Sequence, residues 1–328
     1  MVSKHLKKEM KIKINKKNKC IICNSEKLET LLNLGKISIA TKFFSKPNTP
    51  SPKYPLGVSF CQSCFHIQNS ESVDPSIIFN KNYNYYSNSA ETFLKHLRNE
   101  AKTIKKKFKL NRKSKVLEVA SNDGSFQDIM KNISVNVVGV EPSKRQYLIA
   151  KTKGFKVYNN FFDNDLIEKN KFNSSFDLVI MRNVISHTPN PLQMLIDGKK
   201  SLSKNGAIIL ETVIQNFNFE SPYHGIYSYF SICSLINLAT KAGLIISNIK
   251  NIKLHGESLR IVLMHPKKSN YSKINNGLIK KVNLKQKTKF NSIVDIKKSY
   301  QKLSKQIKIF KKNFNKLCNI AKKKKLKL

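Results

Sequence analysis

Between residues 115 and 264, short apolar runs alternate with amphipathic stretches. The runs at 115–120, 136–140, 155–158, 175–181, 206–211, 244–252 and 258–264 are rich in Val, Ile and Leu and predict strands. The stretches at about 125–132, 144–153, 191–203 and 231–242 place apolar residues every three to four positions and predict helices. Strands and helices in this order predict an α/β protein with a doubly wound, Rossmann-like sheet of seven strands. Only Leu254–Glu257 separates the last two strands, so they are expected to pair antiparallel at one edge. Helical periodicity also runs from Ala90 through Phe108. A longer one links Ile293, Ile296, Tyr300, Leu303, Ile307, Phe310, Phe314 and Leu317 in steps of three and four. With Lys on its other faces, that C-terminal amphipathic helix could pack on the body, pair with a copy of itself or lie on an anionic membrane. Packing on the body is the expectation.

The first of the sheet strands breaks into a tight turn, VLEVASNDG over Val116–Gly124, and a helical pattern starts at Ser125. At the carboxyl end of the first strand of an open sheet, such a turn is a ligand site. Gly124 lets backbone come close, and Glu118 or Asp123 can accept hydrogen bonds, with Ser121 and Asn122 between them. The second strand ends in Glu141-Pro142-Ser143, which places an acid about 20 residues on, where a ribose diol would sit. The turn lacks the GxGxxG that cradles a pyrophosphate. A nucleoside without phosphates, such as S-adenosylmethionine (SAM), fits better than a dinucleotide.

Composition adds a second unit and removes some function classes. Four of six cysteines form Cys20-x-x-Cys23 and Cys61-x-x-Cys64. Two such turns, each presenting two sulfurs, suit a tetrahedral structural zinc that leaves no open position for catalysis. No apolar run reaches a membrane-spanning length, and the Lys-rich start lacks the apolar core of a secretory signal, so a cytoplasmic chain is expected. The organisation reads as a basic flexible tail (1–19), a zinc-binding module (20–73), a linker with a helix (74–114), the sheet domain (115–266) and a lysine-rich connector with helix and basic tail (267–328). The net charge of +41 raises the alternative of a basic zinc protein binding nucleic acid. Against it, the 61 basic residues comprise 56 Lys and 5 Arg, whereas base reading favours Arg. Residues 267–328 alone hold 21 Lys and one acid, Asp295, so much of the excess sits in a tail.

Several segments together resemble the zinc-containing SAM-dependent sugar C-methyltransferases, which act on nucleotide-linked keto-deoxysugars. They are Cys20–Cys23, Tyr54-Pro55-Leu56 leading into Cys61–Cys64, Tyr85-Tyr86-Ser87, Leu117–Gly124, Val138–Ser143, Asn183–His187, Pro222-Tyr223-His224, Ser228–Ser231 and His255–Arg260. The resemblance implies a SAM-binding class I methyltransferase sheet with an N-terminal zinc module. It implies removal of a proton beside a ketone followed by methyl transfer to carbon. Carried over by position, Glu118, Asn122, Asp123, Gly124 and Glu141 line the SAM site, with His187 and Tyr223 near the sugar and Tyr85, Tyr86 and His255 as weaker substrate contacts. The family's Tyr-His-Glu-His is here Tyr223-His224-Gly225-Ile226. His224 or His187 is then expected to act as base, or the chain is a degenerate, non-catalytic SAM-binding homologue. The resemblance also implies a further C-terminal domain that this chain lacks, which a separate polypeptide could supply.

Overall fold

The computed structural model describes residues 14–40, 49–80, 82–214, 222–254, 258–266 and 293–324. The N-terminal module consists of β1 (Ile14–Lys16), β2 (Leu28–Ser38), β3 (Lys53–Cys61), β4 (Ile67–Asn69), β5 (Glu71–Val73) and the short α1 (Pro75–Ile78). Asp74 caps α1 by accepting the Ser76 amide at 2.9 Å, and Pro75 sits where a helix needs no amide donor. The long α2 (Glu91–Phe108) then leads into the sheet domain.

That domain runs β6 (Val116–Val119), α3 (Ser125–Asn132), β7 (Val137–Val140), α4 (Lys144–Thr152), β8 (Val157–Tyr158), α5 (Asn164–Lys169), β9 (Phe176–Arg182), α6 (Pro191–Ser201) and β10 (Leu202–Val213). It continues through β11 (Ser228–Tyr229), α7 (Ile232–Lys241), β12 (Ile245–Ile252) and β13 (Ser258–Met264). Seven strands join in the order β12-β13-β10-β9-β6-β7-β8. As their short connection predicts, β12 and β13 pair antiparallel at one edge, while β10, β9, β6, β7 and β8 pair parallel.

The inner strands β6, β7, β9, β10 and β13 are buried on both faces, which explains their near-continuous apolar runs. Along β9, Leu178 and Ile180 join a cluster with Phe93, Leu97 and Ile104 of α2 and Phe126 and Met130 of α3. Val179 and Met181 point the other way, into a cluster with Leu166 of α5, Leu195 of α6 and Leu235 and Leu238 of α7. The six-residue α5 is too short to show a helical period in sequence. Its start is set by Asp163, whose carboxylate accepts the Leu166 amide at 2.9 Å.

Two features depart from the sequence expectation. No strand is expected in the segment between β10 and α7, but its Ser228–Tyr229 pairs with β4 and becomes the edge of a four-stranded sheet, β11-β4-β3-β2, in the N-terminal module. Residues 215–221 of that segment lie outside the described residues. The last helix, α8 (Ile293–Lys323), extends beyond Leu317 and packs on the body through only part of its stripe. Tyr300, Leu303 and Ile307 lie against Leu32, Val58, Phe60, Ile67, Ile226 and Tyr229, and Lys297 Nζ lies 2.9 Å from Glu29. Among the described residues no helix is long and apolar enough to cross a membrane.

Candidate functional site

A cavity of about 570 Å³ opens at the carboxyl ends of β6, β7 and β9. It lies where parallel strands release their chain into turns, the general ligand position of doubly wound sheets. The turns are strained in a way that aims them. Ala120 (φ 58°) and Asn122 (φ 52°) after β6, and Asn183 (φ 50°) after β9, are non-glycine residues in the left-handed region, and all three line the cavity.

Glu118, Asn122, Glu141 and Pro142 line the cavity. Glu141 is held by two backbone donors, the amide of Asn122 at 2.9 Å and that of Ser143 at 2.7 Å. Burial raises its pKa, and those two amides pull it back toward the carboxylate. Glu118 is buried and bound by Arg182 Nη1 at 2.8 Å; burial raises its pKa to about 7 against the attraction of that guanidinium.

The other residues of the turn face elsewhere. Ser121 is buried beneath it, its hydroxyl so close to Gly139 that a Cβ there would come within 2.4 Å. Asp123 accepts the Ser125 amide at 3.1 Å at the start of α3 and the Asn88 amide at 3.3 Å. At Gly124 (φ 78°) a Cβ would meet the Phe155 ring at 2.8 Å. These three are missing from the lining and hold the turn from behind.

A tyrosine loop closes the turn from above. Asn122 Oδ1 accepts the Ser87 amide at 2.9 Å, and its Nδ2 donates to the Tyr85 carbonyl at 3.1 Å. Gln146 Nε2 donates to the carbonyls of Tyr83 and Tyr85. Tyr83 and Tyr85 thereby reach the cavity wall, whereas Tyr86 does not.

Of the two histidine candidates, the fold brings one to the cavity. His187, in a single 3-10 turn after β9, lines the wall beside Tyr223, with ring centroids 6.5 Å apart. Its Nδ1 lies 2.6 Å from the carbonyl oxygen of Gly225. A carbonyl only accepts, so Nδ1 carries the proton and Nε2 keeps a lone pair. Burial lowers the pKa of this imidazole, with the Gly225 carbonyl opposing, so it is held neutral. His224 is buried away from the wall: its Nε2 lies 3.1 Å from the Tyr54 carbonyl and its ring packs edge-on against Tyr54. His255 lies outside the described residues.

Sequence reading passed over three contributors. Arg182 lines the cavity and also binds Glu100 at 2.7 Å, and its guanidinium covers the Phe126 ring at 4.3 Å. Behind it Arg260 binds Glu211 at 2.7 Å and Glu100 at 3.1 Å, and His96 meets Glu211 at 2.8 Å. His96, Glu100 and Glu211 have the proximity of a cation site, but these two guanidiniums already balance their carboxylates. Asn69 of β4 donates to the carbonyls of Tyr223 and Ile226, fixing the segment that carries both into the wall. Nothing local in the sequence marks a partner 154 residues away.

The residues present fit an adenosyl sulfonium. Glu118, Arg182 and Asn183 line the cavity, and each carries a buried polar atom (Oε2, Nη2 and Oδ1) without a hydrogen-bond partner among the described residues, a shortfall a polar ligand settling against them would relieve. The cysteine module fits zinc equally well. The four sulfurs of Cys20, Cys23, Cys61 and Cys64 lie within 4.8 Å of one another, with Cys20 to Cys64 and Cys23 to Cys61 both 3.5 Å. Tetrahedral thiolate coordination at ~2.3 Å requires sulfurs a little under 4 Å apart. The hydrogen bond from the Cys64 thiol lowers the pKa of Cys20 and raises that of Cys64, so Cys20 is the readier thiolate of that pair.

Comparison with known proteins agrees with both halves. Residues 91–247 match the family described as "Methyltransferase domain" and residues 20–79 the family described as "Putative zinc binding domain". The C-methyltransferase NovU of Streptomyces niveus is 22% identical over 250 residues, which is 74% of this chain and 59% of that protein. The chain thus spans about three fifths of the length of that relative. Similar solved structures include the magnesium protoporphyrin IX methyltransferase ChlM of Synechocystis PCC 6803 with bound S-adenosylhomocysteine, 11% identical, covering 53% of this chain and 83% of that one with a TM-score of 0.43. A SAM-dependent methyltransferase of Clostridium acetobutylicum is 12% identical, covering 53% and 92% with a TM-score of 0.43. Residues 91–247 thus match the methyltransferase-domain family on a seven-stranded sheet of the class I SAM-methyltransferase kind, and residues 20–79 match the zinc-binding-domain family.

Proposed function

We propose that the chain transfers a methyl group from SAM to a carbon beside a ketone, with a nucleotide-linked keto-deoxysugar as the acceptor class. The observation that carries this reading is His187. Its tautomer presents an unprotonated Nε2, its burial keeps it neutral at pH 7, and it stands in the wall of the cavity that also holds Glu118 and Glu141. When bound, SAM supplies a methyl group on a sulfonium, whose carbon–sulfur bond breaks with the electron pair leaving on sulfur.

In this reading Glu141 accepts hydrogen bonds from the ribose diol. Glu118, Asn122 and Pro142 complete the cofactor wall around the Ala120 and Asn183 turns. His187 Nε2 removes the proton from the acceptor carbon, and the electron pair of that bond passes into an enolate. The Tyr223 hydroxyl donates to the developing oxyanion. Tyr83 and Tyr85 close the cavity from above and exclude water, and Tyr83 stays a phenol because burial raises its pKa. His224 supports the wall through Tyr54 and takes no proton. The zinc holds the module whose β4 anchors Tyr223.

The likeness to NovU, a C-methyltransferase by name, supports the class of chemistry. A second reading, SAM binding without turnover, rests on Ile226, an apolar wall residue where the resembled family carries histidine. Incubating the protein with a nucleotide-linked 4-keto-deoxysugar in deuterated water separates the two. Exchange at the carbon beside the ketone, with methylation once SAM is added, supports the catalytic reading. SAM binding with neither event supports the second.

A further inference from the structure

The stripe along α8 changes its surroundings halfway. Tyr300, Leu303 and Ile307 are packed on the N-terminal module, but the continuation of the same stripe leaves Phe310 65%, Phe314 52% and Leu317 63% exposed. Ile309 and Ile320 flank it and are exposed as well, and the Phe310 and Phe314 rings stack at 5.8 Å. Among the described residues, these five large apolar side chains on one helix end pack against nothing on the body, which makes them a candidate interaction surface. At 1.5 Å per residue, the part beyond Ile307 reaches roughly 24 Å from its anchor.

Charge decides what fits it. From Lys302 to Leu328 the chain holds eleven lysines and no acid. Lys308, Lys311, Lys312 and Lys316 fall on the sides and back of the helix relative to Phe310, Phe314 and Leu317. A second copy seated on this stripe would bring two such lysine sets together with no carboxylate between them, which like-charge repulsion opposes. Nucleic acid would answer the lysines but leave the apolar stripe in water. A bilayer bearing anionic headgroups answers both, because the stripe enters the acyl boundary while the lysines reach phosphates on long aliphatic stems.

We propose that the exposed half of α8 docks the full chain on an anionic membrane surface, lying in the interface without crossing it. Phe310, Phe314 and Leu317 are the inserted residues, and the lysines around them supply attraction to the headgroups.

The test is co-sedimentation of the full-length protein with vesicles of phosphatidylglycerol and phosphatidylcholine in equal parts, against phosphatidylcholine alone. The expected result is binding to the mixed vesicles at least tenfold tighter than to the neutral ones. The triple variant Phe310→Ser, Phe314→Ser and Leu317→Ser alters only exposed side chains and should weaken that binding about tenfold or more, with circular dichroism unchanged. A second variant, Lys308→Gln with Lys311→Gln, Lys312→Gln and Lys316→Gln, should weaken it and flatten its dependence on salt. Equal binding of the triple variant overturns the proposal. So does dimerisation through the stripe in sedimentation velocity, or tighter binding to duplex DNA that survives loss of the two phenylalanines.

Discussion

His187 Nδ1 lies 2.6 Å from the carbonyl oxygen of Gly225, and this contact decides which ring nitrogen carries the proton. Where the resembled family places a glutamate side chain, this chain offers a backbone carbonyl. A backbone acceptor fixes the tautomer without titrating, so the proposed mechanism assigns the base function to His187.

Replacing His187 by Gln should therefore lower the rate of methyl transfer by about 10²–10⁴-fold, the usual span for a general base. The affinity for SAM should change little. Steady-state kinetics beside calorimetry of the same variant check both halves. The acid limb should also lie below the ordinary imidazole range, because burial lowers the pKa of His187 and the ring must be neutral to accept a proton. Activity should then persist below the pH at which an ordinary imidazole protonates and fall only as the pH drops through the lowered value. A limb above pH 7 would place the proton acceptor elsewhere.

Gly225 itself is tightly placed, since a Cβ at this position would come within 2.6 Å of Tyr223 Cε2. Gly225→Ala should push the Tyr223 ring out of register and cut turnover about tenfold, while the melting temperature moves by only a few degrees. The same crowding means that restoring a glutamate here would displace Tyr223. Thermal melts and turnover of Gly225→Ala and of Tyr223→Phe, compared side by side, read this out.

Glu118, with its pKa near 7, should couple cofactor binding to protons. A bound sulfonium favours the ionised carboxylate, so binding below pH 7 releases a proton and SAM affinity rises from pH 6 to pH 8. Calorimetry in buffers of different ionisation enthalpy measures the released proton directly. In Glu118→Gln the release should vanish.

Much of this site could be read from residue order. Glu118, Asn122, Glu141 and Pro142 follow from where apolar runs stop, because a parallel strand that ends abruptly exposes the groups of its first turn residues. The seven strands were legible for the same reason. Which side chains of a tight turn face forward was not. Ser121, Asp123 and Gly124 share the motif with Asn122, yet left-handed backbone at Ala120 and Asn122 sends them behind it. The choice between His187 and His224 also escaped local pattern, since it depends on β11 pairing with β4 and on Asn69 gripping the segment between them. Arg182 looks like an ordinary end of strand until Glu100 and Glu118 are brought beside it from other elements.

Metal removal tests how the two halves are joined. Cys61 and Cys64 form the turn between β3 and β4, and β4 carries Asn69, which holds Tyr223 and Ile226 in the wall. The purified chain should contain one zinc. Chelation should expose four thiols to a colorimetric reagent, lower the melting temperature by about 10 °C or more, and cost acceptor binding before SAM binding. Substituting Asn69→Ala should reproduce the loss of acceptor binding with the zinc retained.

Calorimetric titration of the folded, zinc-loaded chain with SAM reads out whether the cavity at the ends of β6, β7 and β9 holds the cofactor. One site per chain with a Kd of roughly 1–100 μM is predicted, weakened at least tenfold, ~1.4 kcal/mol, in Glu141→Ala. Absence of binding at millimolar SAM, or an equal affinity in Glu141→Ala, would contradict the account.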